Sequence, residues 1–300
     1  MNFNLTMVNL WIGLCRGVTG LPTVIRELGY TDRSIDWPFS NQDGEQVVPD
    51  LIIASDNEGH TALLECKSGA NTEEDQLHRY SRVTRADLEL KAMVGGPATA
   101  LHDIAIVGKS EHAARLQIGI TTSGHSFPLI SATDTGMSLT TGSFQVTGLT
   151  KALTPELPID WGAVPTSFVP IDQDSLLWEV AEIVIPQLLA AMAVRSPVVR
   201  PIDLAGEVCK TWSMMGTPAR NQIVARISEI LERAATSEFK EFLAWNRQQR
   251  TLRIKANPLD FGADKQSAAY KRLLAAQGDF LKRLRGQPDP ADQLKMFDSI

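Results

Sequence analysis

The chain is 300 residues long, with 43% apolar and 21% charged positions, a soluble globular composition that excludes disorder, collagen and coiled coil and has room for about two domains. A formal charge of −6 counts against a nucleic-acid partner, yet the charge is unevenly spread. Residues 1–194 hold 11 basic and 23 acidic side chains, residues 195–285 hold 17 and 9, and the last fifteen are net −2, so an acidic first part is joined to a basic second part.

Cys15, Cys66 and Cys209 are odd in number and widely spaced, which fits neither a disulfide framework nor a paired metal site and points to a reducing compartment. The first residues lack a basic leader and an A-x-A cleavage pattern, and no run approaches the ~20 apolar residues of a membrane span. The expectation is a cytoplasmic protein with no membrane partner.

In chain order, Gly20–Leu28 reads as a short helix with Pro22 in its first turn, Glu27 in its last and Gly29 as its stop. Gln46–Ser55 and His60–Ser68 are extended runs joined by the turn-forming Asp56-Asn57-Glu58-Gly59, so they predict a hairpin. A polar helix is expected from about Thr72 to Arg85, with acids first and bases last, as the helix dipole favours. Asp103–Gly108 reads as a buried strand, Ser110–Leu116 as a short helix, and Gln117–Val146 as several extended pieces. Residues 1–152 therefore predict an α/β domain.

Pro155, Pro158, Pro165 and Pro170 mark residues 153–173 as an interdomain linker. Helices follow at Ser175–Val194, Asp203–Trp212 and Pro218–Ala235, the last opened by Thr217 as N-cap. The first is apolar over most of its circumference, which suits burial between domains or in a homodimer. Extended segments Glu238–Trp245 and Arg250–Lys255 flank a polar tip. Three helices and then a hairpin give residues 174–257 the order of a winged helix-turn-helix domain. A charged helix from about Ala263 to Leu284 and a Pro-containing tail complete residues 258–300.

The hairpin carries the chemistry. If it is symmetric about Asn57-Glu58, cross-strand partners have numbers summing to 115, and Asp50 faces Glu65. Alternation puts Lys67 on the same face, with Leu51, Ile53, Leu64 and Cys66 on the other. Two opposed carboxylates repel unless a cation lies between them. Asp50, Glu65 and the backbone carbonyl of Cys66 would suit Mg²⁺ or Mn²⁺, and Lys67 would orient water or balance charge developing on a phosphate. The bland alternative is an exposed salt-bridge cluster worth ~0.5 kcal/mol.

Pro49-Asp50, followed after fourteen residues by Glu65-Cys66-Lys67, resembles the PD-(D/E)XK motif of the restriction-endonuclease-like nucleases. Gln76-Leu77-His78-Arg79-Tyr80 resembles the QxxxY element of the RecB-type branch, and Gln76 and Tyr80 fall on one helical face. The resemblance implies a mixed sheet flanked by helices and a metal-dependent nuclease. It assigns Gln76 and Tyr80 to the catalytic lysine or the substrate phosphate, and Glu27 to an additional metal position. DNA is the favoured substrate over RNA, cut endonucleolytically in a defence, restriction or repair setting, with a homodimer or defence-complex partner as further candidates. Unlike the RecB branch, the chain shows no upstream histidine of that kind and no helicase motif. Its histidines lack metal-ligand spacing, and no phosphate-loop signature is present.

In the helix beginning at Pro218, Ile223, Ile227, Ile230, Leu231 and Ala234 form an apolar stripe, with Arg220, Asn221 and Arg226 among the residues off it. In a winged helix these would read base edges, while Arg247 and Arg250 at the hairpin tip would meet phosphates. A protein-interaction module is the alternative for this domain. For the whole chain, the alternatives are a non-catalytic DNA-binding or assembly protein on a nuclease-like scaffold, and an RNA-directed nuclease.

Overall fold

In the computed structural model residues 2–92, 94–194 and 196–286 are described, so the expected Pro-containing tail lies outside the described residues. The fold begins with α1 (Phe3–Arg16), an apolar run without a charge before Arg16, stopped by Gly17 in the left-handed region at φ 65°. α2 (Val24–Glu27), β1 (Thr31–Ile35), β2 (Phe39–Ser40), β3 (Gln46–Val47), β4 (Leu51–Ser55) and β5 (His60–Lys67) follow. Then come α3 (Glu74–Ser81), α4 (Arg85–Leu90), β6 (Leu101–Lys109), α5 (Ala113–Thr122), β7 (Leu129–Ala132), β8 (Gly136–Thr141), α6 (Thr147–Leu153) and β9 (Leu157–Pro158).

Seven strands form one mixed sheet in the order β1-β4-β5-β6-β7-β8-β9. β4 and β5 pair antiparallel from Leu51↔Leu64 to Ser55↔His60, the register expected from the sequence. β5, β6 and β7 run parallel, so the chain must cross over between them, by α3 and α4 first and then by α5. One sheet face, through Ile52, Ala54, Leu63 and Ile104, packs with Tyr80, Val83 and Leu88 of the first crossover. The polar helix expected from about Thr72 to Arg85 or beyond ends at Ser81, and a second helix starts at Arg85. Thr84 and Asp87 form a capping box that starts α4 afresh, which stops α3 from running on.

The turn end of β5 is pinned by a buried polar chain. Tyr30 Oη and His60 Nδ1 are 2.7 Å apart, and His60 Nε2 is 2.9 Å from Asp103 Oδ2 on β6. Burial pushes the Asp103 carboxyl up, but His60 and the Gln145 N–H outweigh it and hold it below the usual range.

Among the described residues, those up to Val169, with Ser213–Pro218, form one compact unit, and Pro170–Trp212 with those from Ala219 onward form another. Part of the segment expected as a linker therefore belongs to the first unit. β9 pairs with β8, Ile159, Val164, Phe168 and Val169 are buried, and Val169 exchanges hydrogen bonds of 2.8 and 3.0 Å with the side chain of Asn9. Proline removes ladder donors but does not stop the apolar residues between from being buried.

The second unit contains α7 (Leu177–Ala193), β10 (Val198–Val199), α8 (Pro201–Val208), β11 (Leu243–Asn246), β12 (Thr251–Ile254), α10 (Ala263–Arg285) and nearly all of α9 (Thr217–Thr236). Its sheet is antiparallel in the order β10-β12-β11. α10 buries Ala269, Leu273, Ala276, Phe280 and Leu284 and packs on α7, so the helix after residue 258 is part of this unit. Among the described residues no helix is long and apolar enough to cross a membrane.

Arg283 of α10 makes a bidentate pair with Glu238, at 2.7 and 2.9 Å, and this pair holds the Glu238 carboxyl down to about 2. A depressed acid stabilises the folded state above its unfolded pKa and loses that contribution as pH falls through the folded value. Glu238→Gln should therefore cost about 1 kcal/mol near neutrality, after discounting for solvent screening, with the difference vanishing below about pH 2, as read by urea titrations across pH.

Candidate active site

β5 is eight residues long and β4 only five, so β5 overhangs its partner by Glu65, Cys66 and Lys67. Asp50, the residue before β4, fills the gap: its Oδ2 accepts the Cys66 N–H at 2.5 Å, where a ladder carbonyl would otherwise stand. The carboxylate is thereby drawn toward the level of Glu65 and the Cys66 peptide. Glu65 shares the face of Leu63, beneath α3, and is 6% exposed.

A carboxylate so deep must be compensated. Tyr80 Oη donates to Glu65 Oε2 at 2.6 Å, Gln76 Nε2 donates to Oε1 at 2.9 Å, and Lys67 Nζ lies 3.0 Å from Oε1. Lys67 also donates to Gln76 Oε1 at 2.6 Å, so one amide bridges acid and ammonium. Spacing of four along α3 puts Gln76 and Tyr80 on one face, and Leu77 anchors the helix in a cluster with Ile106, Leu116 and Leu129. Tyr80 is also within 2.8 Å of the Val48 carbonyl, which ties the chain entering β4 to the helix.

Electrostatically the site is short of positive charge. Burial pushes the Asp50 carboxyl well above the usual range, and Glu65 and Asp36 push it further; the Cys66 N–H and Lys67 offset only part of this. Burial, then Glu65, likewise raises Tyr80, which keeps its proton for donation. Among the described residues no three His, Cys, Asp or Glu side chains are grouped to hold a metal ion by themselves. Asp50, Glu65 and the Cys66 carbonyl nevertheless offer only oxygen donors, and that chemistry fits a hard divalent cation.

Asp36 escaped the sequence reading because Thr31–Ile35 is too polar to show as a strand. It follows β1 in the left-handed region at φ 45°, and its N–H donates to the Asp50 carbonyl at 3.2 Å. Arg79 is a second addition: with Gln76, Tyr80, Glu45 and Val48 it lines a cavity of about 430 Å³ beside the network. Glu27 is not brought to this place. It is exposed on α2, accepts from Thr23 Oγ1 at 2.6 Å, and adjoins Leu28, whose carbonyl holds Ser55 at the turn end of the hairpin, about 17 Å along the strand from Glu65.

In the second unit, Arg226 is occupied within the fold: it donates to the Ser175 carbonyl and pairs with Glu229 at 3.4 Å. Arg220 lies over the Trp212 ring, 5.5 Å from its centroid. Asn221 is exposed on α9. At the hairpin tip Arg250 is exposed with φ 50°, and Arg247 is exposed while pairing with Glu232 at 2.8 Å. The structure thus brings Asp50, Glu65, Lys67, Gln76 and Tyr80 together, and turns two of the three expected helix readers inward.

The family model of the MJECL32 domain matches residues 4–99, from α1 to just before β6, and so takes in the whole network. Searches of curated proteins and of solved structures found no match.

Tyr80→Phe removes one donor from a buried carboxylate and should destabilise the first unit by about 1–3 kcal/mol in urea titrations. Gly216 supports the same corner from behind. Its N–H donates to the Ile35 carbonyl at 2.8 Å, and a Cβ there would sit 2.0 Å from the Asp36 carbonyl oxygen. Gly216→Ala should therefore displace the Asp36 backbone and cost roughly 1–3 kcal/mol, whereas Gly44→Ala, with no atom near its Cβ position, should be strained only by its own φ of 82°.

Proposed function

We propose that the protein is a metal-dependent nuclease that hydrolyses phosphodiester bonds, with DNA as substrate and endonucleolytic cleavage as its mode. The observation that carries this reading is the buried Glu65 carboxylate, flanked by Asp50 and held by Lys67, Gln76 and Tyr80 on one sheet face. A purely structural sheet position would be filled by an apolar residue at no desolvation cost. Mg²⁺ or Mn²⁺ held by Asp50, Glu65 and the Cys66 carbonyl would polarise the phosphodiester and lower the pKa of the attacking water.

The remaining roles belong to the chain. Lys67, fixed by Gln76 and Glu65, supplies a preorganised positive charge for the reacting phosphate. Gln76 holds lysine and carboxylate in one orientation, and Tyr80 aims Glu65 by donating to its second oxygen. Arg79, on the wall of the adjoining cavity, is placed for a neighbouring phosphate. The order α7, β10, α8, α9, β11, β12 with sheet order β10-β12-β11 supports a winged-helix reading of the second unit, and its basic excess supports a polyanionic partner. By analogy with restriction-endonuclease-like enzymes, the setting is defence, restriction or repair.

Incubation with supercoiled plasmid, linear duplex, single strands and RNA, each with Mg²⁺, Mn²⁺ or EDTA, tests this directly. Nicked or linear plasmid should appear only with metal, and Asp50→Asn or Lys67→Ala should lower the rate at least ~100-fold. Absence of metal-dependent cleavage on every substrate would leave a non-catalytic scaffold. Cleavage of RNA alone would reassign the substrate.

A further inference from the structure

The second unit's excess of basic residues does not sit where a groove-reading helix would need it. From Asn221 on, the exposed positions of α9 are Asn221, Gln222, Ala225 and Thr236, none of them a cation, while Arg220, Arg226 and Arg233 are half-buried, as are Glu229 and Glu232. Its two carboxylates consume neighbouring arginines: Glu229 pairs with Arg226 and with Arg233 at 2.7 Å, and Glu232 with Arg247. A helix entering the major groove passes between two rows of phosphates, where arginines already paired with carboxylates add no net positive charge.

The β11–β12 hairpin has the opposite character. From Phe242 to Leu259 the sequence contains Arg247, Arg250, Arg253 and Lys255 and no acid. Side chains alternate along β12, so Leu252 is fully buried while Arg253 and Lys255 on either side of Ile254 are exposed. Arg250 and Arg253 have no carboxylate partner among the described residues, and Lys255 Nζ donates only to the Lys240 carbonyl. The tip is preformed: Asn246 Oδ1 accepts the N–H groups of Gln248 and Gln249, both at 3.1 Å, which fixes the loop that displays Arg247 and Arg250.

We infer that this unit holds nucleic acid by the β11–β12 hairpin, through phosphate contacts independent of base sequence, and that α9 does not read bases. The inference takes its choice of polymer from the nuclease reading. On it, affinity is dominated by counterion release, so it falls steeply with salt and is equal for unrelated sequences of the same form.

Fluorescence anisotropy with the full chain in EDTA, on two duplexes of unrelated sequence between about 50 and about 200 mM salt, separates the possibilities. Arg250→Asn with Arg253→Ser should weaken both duplexes about tenfold and reduce the salt slope by about 2, asparagine being chosen because it tolerates the left-handed backbone. Asn221→Ala with Gln222→Ala should leave both affinities unchanged. All four positions are exposed, and unchanged thermal melting of each variant confirms that binding alone is altered. The inference is overturned if the hairpin variant binds as wild type, if the α9 variant loses affinity, or if the two duplexes differ more than about tenfold. Retention of polyglutamate but not of duplex would also overturn it and assign the hairpin to an acidic protein. Hairpin-dependent binding without cleavage in Mg²⁺ or Mn²⁺ sinks the nuclease reading and leaves this one. Cleavage that is insensitive to the hairpin does the reverse.

Discussion

Burial of the Glu65 carboxylate in the middle of a mixed sheet is the constraint to which the first unit is arranged. Leaving such a group unpaired would cost several kcal/mol, so every side chain able to donate to it has to arrive from a fixed direction. α3 must therefore lie across the face of β5, at a height that brings Gln76 and Tyr80 to the two oxygens. Leu77, between them in sequence, is locked into the apolar cluster with α5, so packing and hydrogen bonding demand the same helix position. The parallel crossover from β5 to β6 provides the length of chain that lets α3 reach there.

This coincidence also explains what could be read in advance. Cross-strand register follows from turn symmetry and alternation, both local properties, so the meeting of Asp50 with the Glu65 end of β5 was legible. Gln76 and Tyr80 were legible for the same reason, their spacing being set by helix geometry. Asp36 was not, because its strand is polar and pairs with β4 only through tertiary context. α1 carries its apolar residues almost all round, without the periodicity that marks a helix, since it is buried over most of its surface. Within the Pro-rich residues 153–173, Ile159, Val164, Phe168 and Val169 are buried, because proline density bears on how a segment hydrogen-bonds and says nothing of whether it is buried.

Charge was the least legible quantity. A net count by segment located the basic half correctly, but the direction of each arginine depends on what lies within reach. Arg226 turns to a main-chain carbonyl, and Arg220 to an indole, because burial beside those groups satisfies a guanidinium that solvent would otherwise hold. The hairpin keeps its cations outward because its inner face is already filled by Leu252 and Leu243. Position on an amphipathic pattern says which face a residue takes, and the neighbours decide whether its charge remains available to a partner.

Ser213–Pro218 belongs with the first unit although more than forty residues of the second precede it in sequence, and Met215 lies against the outer side of β1 as a parallel bridge to Ile35. On the ribosome the seven-stranded sheet can assemble long before that segment emerges. During that interval the edge of β1 beside Asp36 is bare, a template for any other extended chain. Completion of the corner around Asp36 is thus postponed until much of the second unit has been synthesised, so the nascent first unit cannot be finished in isolation.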